Sequence, residues 1–365
     1  MPRPTRAPMR RSPVAAIVLV GLLAAACGKT ASPPASSGSG GPSVSLIGAG
    51  STFVQPAMLQ WISAYKNVKS NVSINYQGIG SGGGITQFTN QTIDFADSDA
   101  FMSDAEIAAA KAKRNCSVVH VPMVFGAVTV AFNVKGLNNL TLDGPTLADI
   151  FLGKITTYDN NAIKKLNPGV TLPSTSIRVI HRSDDSGTTK IFTTYLSSVS
   201  PQWKTQVGAH KGTGDGLKWP TGGEGQGNDG VAAQVQGNDG GLGYVELSYA
   251  LNSKLSTAKM DNKDGTAVTP SIASTQSAVQ SLQIPDDLRF NVLGVGGAGY
   301  PIVGATWVLA YECGYPATKA TALKDFLTWV LSNGNQIALQ LHYAPLFPAL
   351  KTKALAAVAN INAKG

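Results

Sequence analysis

From residue 44 onward the apolar residues keep switching between two periods, and the switching predicts the architecture. Residues 44–47, 72–76 and 93–96 read as short strands bounded by turn residues. Between and after them, 55–66, 85–90 and 103–113 read as helices; the first carries Met58, Leu59, Ile62 and Tyr65 at helical spacing. The third opens on Ser103 with Glu106 three residues on, the pattern of a capping box. Such a β-α-β-α-β-α rhythm predicts a mostly parallel sheet covered by helices. The run 118–133 is long and β-rich, interrupted by Pro122 and Gly126, and a run of this kind can cross between two domains. A second β/α set spans about 147–251, with a strand at 176–180 and a helix over 190–197. The stretch 212–243 is dense in Gly, Asn and Asp, which predicts loops around a short helix at 230–236. Beyond it come a helix over 271–284, a strand at 302–311 and helices at 317–331 and 336–341. No repeat of solenoid period is present.

The N-terminal end has a different character. Arg3, Arg6, Arg10 and Arg11 precede a short apolar run, 14–26, that ends in small residues, as an export signal does. That run is short for a membrane span and fits the apolar region of a secretory signal. It ends at Cys27 in a sequence resembling the lipobox of bacterial lipoproteins, although Leu23 stands four residues before Cys27 where three is usual. Residues 27–43 are rich in Ser, Gly and Pro, so a lipid-bearing Cys27 on a flexible tether is expected. The four arginines account for half of the +8 formal charge. The remaining body is only mildly basic and has no Lys/Arg block, which argues against nucleic acid. Cys116 and Cys313 form an even pair in an exported chain, and each borders a β-like run, so a disulfide between them is expected. The histidines, His120, His181, His210 and His342, are scattered, which gives zinc chemistry no support.

Three strand-to-helix turns carry the chemistry. The first contains Gly48, Gly50, Ser51, Thr52 and Phe53; the second Gly78, Gly80, Ser81 and Gly82 to Gly84. The third runs from His181 and Arg182 through Asp184, Asp185, Ser186 and Gly187 to Thr188 and Thr189. Each places small residues and a hydroxyl where the unpaired N–H groups and positive dipole end of a helix can meet an anion. In a parallel α/β sheet these turns share the carboxyl edge, where ligands bind. Arg182 adds a planar fork of donors suited to two oxygens at once. Taken alone, the third turn reads equally well as an ordinary helix start capped by Ser186 or Asp185.

The third strand ends in Asp94, Asp97 and Asp99 at the same edge. These read equally as a capped turn. A carboxylate facing an oxyanion is repulsive unless the ligand brings a proton to donate. Phosphate near neutral pH has one and sulfate has none, so an aspartate here would select phosphate, on the order of 10⁴-fold or more. Competing chemistries fit less well. Gly48 and Gly50 follow a strand, but the dinucleotide spacing and the ribose acid are missing, and there is no Walker loop. A hydrolase built on Ser186 and His181 lacks a nucleophile elbow.

Together these residues resemble the phosphate-binding proteins of phosphate-specific ABC transporters. The matching segments are 48–53, 75–84, 94–99, 151–155, 166–169, 182–188, 218–220, 227–230 and 243–246, in family order. The resemblance implies a two-lobed α/β fold of the type II periplasmic-binding-protein kind, with mixed, mostly parallel sheets and a two-strand hinge. It implies lobes of 44–124 plus 302–365 and of 125–301. Carried over by motif, Thr52 and Phe53 would offer backbone N–H groups, and Thr52 its hydroxyl. Ser81 would donate, Asp99 would accept the ligand's proton, and Arg182, Ser186, Gly187 and Thr188 would hold the remaining oxygens. Asp184 matches the acid that steadies the arginine. Asp97 departs from the pattern, which usually has a small residue there: it either faces solvent or, pointing inward, alters affinity or pH dependence. The implied function is a lipid-anchored, monomeric, extracytoplasmic receptor, not an enzyme and without cofactor, that passes inorganic phosphate to a permease. A receptor for another tetrahedral oxyanion such as arsenate is the alternative.

Overall fold

The structure, a computed structural model, describes residues 42–210 and 217–363. The expected export signal, Cys27 and the tether as far as residue 41 lie outside the described residues. A mixed sheet organises the rest. Its strands run in the order Val72–Gly78, Val44–Gly50, Phe95–Ser98, Val303–Tyr311, Val118–Asn133, Gly241–Glu246, Arg178–Arg182 and Gly223–Gly225. Pairing is parallel at both flanks and antiparallel in the middle, where Val118–Asn133 lies between Val303–Tyr311 and Gly241–Glu246. Each parallel set alternates with helices in sequence, as the periodicity predicts, so the chain forms two α/β halves that share one long strand.

That strand is continuous despite Pro122 and Gly126, for local reasons. Pro122 has no N–H for the ladder. The register shifts at Thr306/Trp307, opposite Val124 and Pro122, so Met123 is left over as a bulge. At Gly126 a Cβ would meet the Phe53 ring at 2.5 Å, so the glycine admits a core side chain against the strand. Next to the crossing, the Val128 N–H donates to the Ile302 carbonyl at 2.8 Å. Two chain segments thus run side by side where the halves join.

Several elements differ from their predicted extent. The second helix begins at Ser81 rather than 85, with Gly82, Gly83 and Gly84 inside it. Helix propensity counts against such a run, but Gly84 packs on the Gly50 backbone and Gly82 on Asp185, where a side chain would not fit. In Gln55–Lys66 the buried positions are Ala57, Met58, Trp61 and Tyr65, while Leu59 is 44% exposed. The helix expected over 271–284 spans only Ile272–Val279 before turning. A C-terminal helix, Pro348–Ala359, was not anticipated. The Ser103–Glu106 capping box is present in both directions. A disulfide joins Cys116, just before Val118–Asn133, to Cys313, just after Val303–Tyr311.

Candidate anion-binding site

Four helix starts converge on one buried place at the carboxyl edge of the sheet. After Gly50, whose φ of 139° suits glycine, residues Ser51, Thr52 and Phe53 lead into Gln55–Lys66. Ser81 opens the second helix behind Gly80, at φ 85°. Gly187 opens Gly187–Val199 behind Ser186, which is the N-cap: its Oγ accepts from the Thr189 N–H at 3.1 Å. The fourth start, Gly227–Gly237, lies at the matching segment 227–230 and the short helix predicted at 230–236, and the sequence gives it no role in the site. Each brings first-turn N–H groups that lie outside the helix's own ladder, and a positive dipole end.

Thr52, Phe53, Ser81, Asp99, Arg182, Ser186, Gly187 and Thr188 are all buried here, and most are tied together by direct contacts. Asp99 sits between two hydroxyls: Ser51 donates to its Oδ1 at 2.6 Å and Ser81 to its Oδ2 at 3.4 Å. The Asp99 N–H in turn donates to Ser81 Oγ at 3.1 Å. Gly187 lies against this pair so closely that a Cβ would run into Ser81 Oγ and the Asp99 backbone. The Gly82 N–H donates to the Asp185 carbonyl at 3.0 Å, holding the second and third turns face to face.

Arg182 is braced on one side and free to reach on the other. Its Nε donates to Asp184 Oδ1 at 2.7 Å, and Nη2 donates to Asp184 Oδ2. Nη1 points instead to Thr188 Oγ1, at 3.3 Å. Asp184 is held by a further bond from the Gly227 N–H at 3.0 Å. Burial pushes the Asp184 pKa up, but the Arg182 hydrogen bonds and charge and the Gly227 N–H outweigh it and keep the carboxyl below its ordinary range. Asp99 shows the opposite balance. Burial raises its pKa to about 6, against the lowering effects of Ser51, Thr306, Arg182 and Ser81. A carboxyl poised there can exchange a proton with a ligand near neutral pH.

Sequence reasoning missed Asn228. Its side-chain Nδ2 donates to Thr52 Oγ1 at 2.9 Å and to Thr188 Oγ1 at 3.1 Å, and its backbone N–H donates to Thr52 Oγ1 at 3.2 Å. Asn228 thereby ties the first turn to the third. The signal was present: Gly223–Gly225 is a strand, and Gly227 and Asn228 start a helix directly after it, the same grammar as the other three turns. Two further tethers act on carbonyls of the first turn. Tyr249 donates to the Thr52 carbonyl and Tyr343 to the Phe53 carbonyl, both at 2.5 Å. The Phe53 N–H, expected to face a ligand, donates to Ser51 Oγ at 2.9 Å in this arrangement.

Asp97 points inward. It is fully buried, its Oδ1 accepts from Thr306 Oγ1 at 2.7 Å, and its Oδ2 has no partner. His181 is not part of the constellation. Its ring stacks on Trp219 at 4.6 Å and its Nδ1 contacts the Arg182 carbonyl at 3.1 Å, while Ser186 is engaged as a helix cap. No serine–histidine relay is assembled by these two residues. The arrangement can surround a tetrahedral anion with hydroxyls, backbone N–H groups and one guanidinium, and offer one acceptor for a ligand proton.

Known proteins resemble this chain along most of its length. The family model described as a PBP superfamily domain matches residues 33–334. The phosphate-binding protein PstS of Xylella fastidiosa (strain 9a5c) is 41% identical over 313 residues, covering 84% of this chain and 83% of that one. The phosphate-binding protein PstS of Pasteurella multocida (strain Pm70) is 39% identical over 306 residues, covering 82% and 86%. Among solved structures, a high affinity periplasmic phosphate-binding protein (PfluDING), bound with phosphate, superposes with a TM-score of 0.71 at 24% identity. That match covers 86% of this chain and 93% of that one, a likeness of fold.

Proposed function

This chain belongs to the PstS phosphate-binding proteins of the PBP superfamily, and from that premise we propose how its buried site holds inorganic phosphate for an ABC permease. It is an extracytoplasmic transport receptor and not an enzyme. The observation that carries the assignment of the site is the convergence of four helix starts and one braced guanidinium on a carboxyl poised at about 6. Arg182 takes two ligand oxygens, with Asp184 fixing its plane. Thr52, Ser81, Ser186 and Thr188 donate hydroxyls, and the backbone N–H groups of Gly187 and Thr188 complete the shell, joined by that of Phe53 when it turns from Ser51 Oγ to the ligand. Asp99 accepts the proton that phosphate carries and sulfate lacks.

The ligand joins two lobes, 44–124 with 302–365 and 125–301. Thr52, Phe53, Ser81 and Asp99 belong to the first lobe; Arg182, Ser186, Gly187 and Thr188 belong to the second. Contacts made to both lobes at once are available only in the closed form, so ligand binding favours closure. The Asn228–Thr52 and Tyr249–Thr52 bonds support this reading, because they too exist only when the lobes meet. The receptor acts as a monomer held at the membrane by a lipid on Cys27. Arg182→Ala should abolish tight phosphate binding in calorimetry without lowering the melting temperature by more than a few degrees. An unchanged affinity in a folded variant would remove the site.

A further inference from the structure

Asp97 lies two residues before Asp99 along the third strand, and the two share a neighbour. The Thr306 hydroxyl donates to Asp97 Oδ1 at 2.7 Å and is also near enough to Asp99 to lower its pKa. A hydroxyl has one hydrogen to give. When it goes to Asp97, Asp99 does without it. Thr306 is fully buried on Val303–Tyr311, so no solvent can replace that donor. Asp97 Oδ2, also buried, has no partner. A buried oxygen left in this way is costly in either protonation state, and it is costliest when charged.

We infer that Asp97 is a specificity-determining residue of the anion site, the second carboxyl of a buried pair that shares the Thr306 hydroxyl with Asp99. This rests on the reading of the site as a phosphate site. Two carboxyls in one low-dielectric place do not both ionise beside a bound anion, so the occupied pair must share at least one proton. A ligand that brings its own proton meets that requirement; a fully ionised one does not. Asp97 therefore deepens the preference for a proton-bearing oxyanion and ties affinity to pH. The groups facing the pair support the assignment. Tyr76, from the strand Val72–Gly78, is held neutral by burial and by both carboxyls, so it adds no further negative charge to the pair. The Arg182 guanidinium acts on Asp99, and Glu246 lies within electrostatic reach of Asp99 as a further acid. Burial and the Asp99 charge push the Asp97 carboxyl well above its ordinary range, against Thr306.

The test is calorimetric titration with phosphate and with sulfate at several pH values between about 6 and 9, on wild type, Asp97→Ala and Asp97→Asn, each checked for folding by circular dichroism. One pKa unit is a tenfold effect. The wild type should therefore lose about 10-fold more phosphate affinity than either variant as the pH rises, and the phosphate-to-sulfate ratio should narrow in both variants. Superimposable pH profiles with an unchanged ratio overturn the inference and leave the phosphate site standing. A folded wild type that binds no phosphate at any of these pH values overturns the phosphate reading, and this inference with it.

Discussion

The Asn228 side chain donates to the Thr52 hydroxyl at 2.9 Å, a bond between residues 176 apart in sequence. With its second donation, to Thr188, it makes one amide the link between two of the turns that surround the site. Both hydroxyls are buried, so losing the amide leaves them without compensation from solvent. That costs about 1–3 kcal/mol. Asn228→Ala should accordingly weaken phosphate binding roughly 10- to 100-fold by calorimetry. An affinity within twofold of wild type would show that this link plays no part in closure.

Asp184 should reveal itself through acid stability. Its folded pKa lies below the ordinary value because Arg182 and the Gly227 N–H overcome burial. A depressed carboxyl contributes stability above its unfolded pKa, and that contribution is lost as pH falls toward the folded pKa. Thermal melts of wild type should therefore drop more steeply below about pH 4 than those of Asp184→Asn. At neutral pH the variant should melt lower and bind phosphate more weakly, since Arg182 is no longer held in plane. Parallel acid curves would contradict the pairing.

Asp97 predicts the reverse trend in the unliganded protein. Burial and the Asp99 charge raise its pKa, so its protonated form is the one the fold favours. Such a group costs stability progressively as pH rises above the ordinary carboxylate range. Asp97→Asn keeps the shape and removes the charge. It should melt higher than wild type at pH 8, with the advantage shrinking as pH approaches about 4. A difference in melting temperature that does not change with pH would show that Asp97 is not titrating.

Much of this site was legible in the chain, for a physical reason. Anion-ready turns need glycine for close approach and hydroxyls at helix starts, and those residues stand out against apolar strands; Gly50, Thr52, Ser81 and Ser186 were found in that way. What escaped depends on partners far along the chain. Asn228 became visible only when its amide met Thr52 and Thr188. The inward aim of Asp97 was undecidable because Phe95–Ser98 is buried on both faces, so alternation carries no signal there. The glycine-rich start of the second helix looks like a turn in sequence because propensity speaks of isolated helices, whereas close packing on Gly50 and Asp185 decides this one.

The disulfide should matter to stability and not to binding. Cys116 and Cys313 are 197 residues apart and sit at the far end of their strands from the site. Closing so long a loop constrains the unfolded chain, and removing the link should cost about 2–5 kcal/mol. The double variant Cys116→Ser, Cys313→Ser should unfold at lower denaturant while binding phosphate within about twofold of wild type. A large loss of affinity at full folding would mean that the bond also shapes the site.

The central claim is that the Asp99 carboxyl reads the proton on the ligand. Paired calorimetric titrations of wild type and Asp99→Asn with phosphate and with sulfate, at one neutral pH, test it most directly. Wild type should bind phosphate and take up little or no sulfate, while Asp99→Asn should bind phosphate more weakly and sulfate comparatively better. An Asp99→Asn protein that keeps the wild-type preference, or a wild type that binds the two anions alike, would contradict the account.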